Sequence, residues 1–93
     1  MRGFEIHLNG KLLCVAAFRG EGCLIAAIEH IYQEEPSLET RLLALGSPHA
    51  VLEHLHFTDT KLKRGDEVLV RIVETDHPTD PIRREDVSIP PSK

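Results

Sequence analysis

The dipeptide Asn9-Gly10 constrains this chain more than any other feature. It stands between two apolar-rich runs, and both residues tolerate the positive φ of a two-residue type I′ turn. Residues 4–18, "FEIHLNGKLLCVAAF", therefore read as a β-hairpin whose register is dictated by the turn. Leu8 falls opposite Lys11, Ile6 opposite Leu13 and Phe4 opposite Val15, a nearly all-apolar face that should cover the core. On the other face His7 opposes Leu12 and Glu5 opposes Cys14, with Ala16 and Phe18 beyond. Leu12, Cys14, Ala16 and Phe18 make this second face more apolar than a solvated surface requires, so they form a candidate contact patch. The plainer alternative is that later strands or the tail fold over them.

Leu24, Ile28 and Ile31 recur at i, i+4 and i+7 within residues 21–34, flanked by Ile25, Ala27 and Tyr32, and predict an amphipathic helix. Pro36 would end it, because the residue before a proline is pushed out of helical geometry. Residues 38–49 suit a strand closed by a Gly-Ser-Pro turn, with a short glycine-capped helix as the alternative. Residues 52–58 suggest a further short strand. Beyond Leu62 and the turn Lys63-Arg64-Gly65-Asp66-Glu67, Val68, Val70 and Ile72 line one face and Leu69 and Val73 the other. A strand apolar on both faces is expected in the middle of a sheet. From Asp76 onward prolines and charges replace any apolar period. Residues 1–75 are therefore expected to form the domain, and residues 76–93 an extended or disordered tail.

The order strand, tight turn, strand, helix, strand, short strand, final strand resembles the β-grasp, or ubiquitin-like, architecture. The resemblance rests on Asn9-Gly10, the single helix, and Leu62 ahead of Gly65-Asp66-Glu67-Val68, a step similar to the end of small sulfur-carrier proteins. It implies an α+β fold: one helix packed on one face of a mixed sheet, with the last strand central beside the first. A ferredoxin-like α+β sandwich is the alternative and needs a second helix near residues 38–45. The carrier chemistry is not expected, since it works through a C-terminal Gly-Gly and this sequence closes on Ile89-Pro90-Pro91-Ser92-Lys93. β-Grasp ferredoxins hold their cluster with four thiolates, and this chain has two cysteines. No cofactor is expected.

Charge bears on the partner. Eleven Lys and Arg against fifteen Asp and Glu leave a net −4, whereas nucleic-acid binding needs clustered positive charge. No apolar run approaches the ~20 residues of a membrane span, and no signal-peptide pattern opens the chain. Cys14 and Cys23 do not make a disulfide framework, so reduced thiols in the cytoplasm are the expectation.

In "EHLHF", residues 53–57, His54 and His56 share one face of a strand and would supply half of a zinc site. A third ligand would have to come from Glu53, Asp59, His49 or His7, and no spacing selects among them. Leu55 and Phe57 inward with two wettable imidazoles outward explains the same pattern without a metal, and is preferred. Cys14 and His7 are only diagonal neighbours in the predicted register, and a free cysteine is more often a small buried hydrophobe. Arg64-Gly65-Asp66 reads as turn chemistry. With no glycine-rich loop, nucleophile elbow or paired catalytic carboxylates, no enzymatic activity is expected. The resulting expectation is a small cytosolic accessory module that binds protein, forming a homodimer through Leu12, Cys14, Ala16 and Phe18. A zinc-binding protein using His54 and His56 is the rival.

Overall fold

The Asn9-Gly10 turn forms as its chemistry demands. In a computed structural model, which describes residues 1–31 and 39–86, Asn9 has φ 52° and Gly10 φ 81°. The turn joins β1 (Arg2–Leu8) to β2 (Lys11–Ala16) as an antiparallel hairpin. The other described elements are β3 (Gly22–Ile31), β4 (Glu39–Pro48), β5 (Glu53–Leu62), β6 (Val68–Glu74) and β7 (Arg83–Asp86). They make two antiparallel sheets, one in the order β2-β1-β6 and the other β3-β4-β5-β7.

This arrangement corrects the α+β expectation. No helix occurs among the described residues, and the segment read as a helix is the strand β3. Residues 23–28 are an uncharged, largely apolar run, which satisfies a period of two as readily as one of 3.6. What decides is the neighbour. β4 offers ladder positions from Gly22 against Pro48 to Ile31 against Glu39, and the β-branched Ile25, Ile28 and Ile31 favour extended backbone. Residues 39–48 form a strand, as expected for that segment; Tyr32, Pro36 and Leu38 lie outside the described residues. The β-grasp and ferredoxin-like readings both fall with the helix. β6 does lie beside β1, but it runs antiparallel and ends its sheet instead of occupying the centre.

A second correction concerns the hairpin. Leu8 faces Lys11 and His7 faces Leu12 as expected, and then Leu13 is left over as a bulge. One extra residue turns everything after it to the opposite face. Ile6 therefore opposes Cys14 and Phe4 opposes Ala16, so Cys14 and Ala16 enter the core, at 3% and 0% exposure. A similar irregularity between Ala44 and Leu45 leaves Phe57 as the additional residue of β5, and it too is buried.

The core is a narrow seam between the sheets. Ile6, Cys14 and Ala16 from one sheet meet Leu42, Ala44, Leu55 and Phe57 from the other, with Phe4, Phe18, Leu24, Ala26, Leu62 and Val68 packed around them. The contact is concentrated where β2 lies over β4 and β5. Ala44 and Gly46 keep β4 thin there, and Phe18 lies so close over Gly46 that an added Cβ would stand 2.9 Å from its ring.

Residues 76–86 do not stay outside the domain. Val15 donates its N–H to Thr79 Oγ1 and accepts from the Thr79 N–H, each at 2.9 Å, so the segment closes part of the outer edge of β2. The Ile82 N–H then reaches the His56 carbonyl at 2.8 Å, and β7 pairs with β5 from Glu53 against Asp86 to His56 against Arg83. The chain thus straps one sheet to the other.

Two predictions follow from the packing and the turns. Leu42→Ala empties a fully buried site and should lower the unfolding free energy by ~2–5 kcal/mol, whereas the exposed Leu52→Ala should change it by ~0.5 kcal/mol or less; urea denaturation reads both. At the 63–67 turn, the Lys63 N–H at 2.8 Å and Asn9 Nδ2 at 3.0 Å bond the Asp66 carboxylate and hold its pKa below the ordinary value. A depressed folded-state pKa contributes stability above the unfolded value and loses it as pH falls through the folded one. Denaturation midpoints measured on acidification below about pH 4 should therefore fall less steeply in Asp66→Asn than in the parent.

Candidate functional site

The four-residue patch proposed from the hairpin does not form as a surface. Of its members only Leu12 remains well exposed, at 56%. Cys14 and Ala16 are core residues, and Phe18 is half-buried against Gly46 and Gly22. The Leu13 bulge is the cause, since it rotates Cys14 and Ala16 inward. It also separates Cys14 from His7. The imidazole stays on the outer face, and burial pushes the Cys14 thiol pKa up, away from the reactive thiolate.

His7 instead joins a polar group on the outer face of the smaller sheet. Its Nε2 lies 2.6 Å from Glu5 Oε1, and Arg71 Nη1 approaches the same oxygen at 3.4 Å. Beside them a cavity of about 570 Å³ is lined by His7, Gly10, Glu67, Val68, Leu69 and Arg71. Within the group a carboxylate is shared between a cation and an imidazole, and Glu67 brings a second carboxylate to the cavity wall; no Ser, Thr or Cys is among the lining residues.

His54 and His56 do share the outer face of β5, as the strand period requires, but their ring nitrogens turn to different partners. His54 Nδ1 is 2.6 Å from Ser47 Oγ. His56 Nε2 is 3.1 Å from Glu85 Oε2, and the Arg83 guanidinium stands 3.3 Å from its Nδ1. A guanidinium against the ring opposes a divalent ion by simple repulsion. Among the described residues no group of three or more His, Cys, Asp or Glu converges as a metal site would. Near His56 a smaller hollow of about 250 Å³ holds Glu29, Arg41, Asp59 and Arg83, again with both signs present. Arg41 Nε and Asp59 Oδ1 face each other there at 3.0 Å, shielded from solvent but without good hydrogen-bond alignment.

Arg64-Gly65-Asp66 lies in the turn between β5 and β6, where Gly65 has φ 94°. Asn9 clamps this turn from the hairpin: its Nδ2 donates to Asp66 and its Oδ1 accepts from the Glu67 N–H at 2.9 Å. The tripeptide serves the fold through Asp66.

The surface that stands out is the pair of sheet edges, β3 and β6, on which no further strand pairs among the described residues. On β6, Val70 and Ile72 face the same way as the core residues Ile6 and Phe4, their ladder partners, yet are 40% and 68% exposed. On β3, Ile28 shares the face of the buried Leu42 and is 58% exposed, with Ile25 and Ile31 also open. The overlap between the sheets is too short to cover them. The remaining edges are defended: β7 is four charged residues, and β2 is strapped by Thr79. Such defences are the usual answer to an unpaired strand, and β3 lacks them, with no Lys, Arg or Pro in ten residues. The apolar run 23–28, inside the segment 21–34 whose spacing predicts a helix, is the sequence signal of this edge. No protein-family model matches the chain, and neither does any curated protein or solved structure.

Proposed function

We propose that this chain is a non-catalytic accessory module that binds protein through its open sheet edges, β3 and β6. The observation that carries the reading is the exposure of Ile28, Val70 and Ile72 on faces whose other members form the core. Apolar residues on a core-facing surface that the fold leaves uncovered are the mark of a surface completed by association. Among the described residues β3 and β6 each end their sheet, and main-chain groups that turn away from the neighbouring strand add a directional component, as in partners that dock by adding a strand. Cys14 and Cys23 are both free, which favours a reducing cytoplasmic setting.

The test is site-specific photo-crosslinking in cells, with a benzophenone side chain placed in turn at Ile28, Ile72 and, as a control, Lys61. Discrete adducts of defined mass from Ile28 and Ile72, and none from Lys61, are expected. Adducts from none of the three, or equally from all, would contradict the proposal.

A further inference from the structure

We infer that the partner at β3 is a second copy of the same strand, paired antiparallel about a two-fold axis through Ala26. Two four-stranded sheets would then join edge to edge into one. This inference rests on the open-edge reading above and gives one of its edges a named occupant.

The backbone directions permit it. The Glu21 carbonyl accepts from the His49 N–H at 2.8 Å, so residues 21 and 49 are a hydrogen-bonded pair. In an antiparallel ladder such pairs alternate, so the N–H and C=O groups of Cys23, Ile25, Ala27 and Glu29 turn to β4. Those of Leu24, Ala26 and Ile28 turn to the open edge. Side chains opposite one another must lie on the same face of a continuous sheet, and a two-fold axis perpendicular to the sheet preserves faces. Symmetric registers therefore pair even residues with even ones and odd with odd.

Among these registers the side chains favour one. With Ala26 on the axis, Leu24 stands opposite Ile28 of the partner subunit and Ile25 opposite the partner's Ala27. Glu29 falls opposite the partner's Cys23, about 20 Å along the ladder from its own symmetry mate at ~3.4 Å per residue. No like charges meet. Moving the axis to Ala27 would set Ile25 against the partner's Glu29, and moving it to Ile25 would shorten the apolar overlap. The same exercise disfavours β6. Its central register puts Arg71 directly opposite the partner's Arg71 in a non-hydrogen-bonded pair, where Cα atoms approach to ~4.5 Å. A self-complementary edge of this kind suits the isologous contact of a two-fold dimer.

Sedimentation equilibrium of the full chain tests the inference. The expected mass is twice the 10.4 kDa chain. Ala26→Pro should be a folded monomer, because it removes an N–H that points away from β4. A second variant keeps the test decisive should that proline disturb folding. In a Cys23→Ser background, Ile25→Cys with Ala27→Cys should give a covalent dimer on copper–phenanthroline oxidation, and either cysteine alone should give far less. A monomeric parent, a dimeric Ala26→Pro, or equal crosslinking by the single cysteines would overturn the inference. If the parent is monomeric while the benzophenone adducts persist, the open-edge reading stands with a different partner. If both fail, the two fall together.

Discussion

The seam where Ile6, Cys14 and Ala16 press on Leu42, Ala44, Leu55 and Phe57 holds the two sheets together, and its small size governs the rest of the molecule. Among the described residues, Ile6, Leu42 and Phe57 are the large side chains withdrawn almost completely from water. Much of the facing surface is alanine, glycine or cysteine, which lets the sheets approach but removes little apolar area. A strap across the gap is therefore consistent with the fold's needs. Residues 76–86 supply it, bonding Val15 in one sheet and His56 in the other.

The same economy explains why the edges remain apolar. A fully buried isoleucine contributes ~1.5–3 kcal/mol relative to an exposed one, so Ile28 and Ile72 represent stabilisation that the isolated chain does not use. Association costs at least ~4 kcal/mol in lost freedom. Covering one isoleucine would not offset this; covering Leu24, Ile25 and Ile28 on both copies, with a ladder of main-chain bonds between them, is of the right scale. β7 shows the contrasting solution. Its Arg83, Arg84, Glu85 and Asp86 make an edge that water solvates well and that another strand would have to desolvate.

Much of the strand content was legible in the sequence. Asn9-Gly10 specified the first turn, residues 38–49 suited a strand with a short helix as the alternative, residues 52–58 marked only the first part of β5, and the apolar run from Val68 to Val73 marked β6. Two features were not legible, for identifiable reasons. Residues 22–31 combine an unbroken apolar centre with isoleucines at helical spacing, and the choice between helix and strand was made by β4, a partner distant in sequence. The Leu13 bulge left no local signal, since an extra leucine in an apolar strand looks like any other. Its effect was large: it moved Cys14 and Ala16 from a supposed contact patch into the core. The histidine pair was correctly placed on one face, but Ser47, Glu85 and Arg83, which engage those rings, come from neighbouring strands that residue spacing does not reveal.

Residue-resolved amide hydrogen exchange along residues 23–29, at low and high protein concentration, tests most directly whether the outward groups of the edge strand β3 are completed by a second copy. With self-pairing, the Cys23, Ile25, Ala27 and Glu29 amides are protected at both concentrations. Those of Leu24, Ala26 and Ile28 should become protected only at the higher one. Rapid exchange of the even-numbered amides at every concentration would contradict the self-pairing, and uniform protection independent of concentration would contradict the open edge itself.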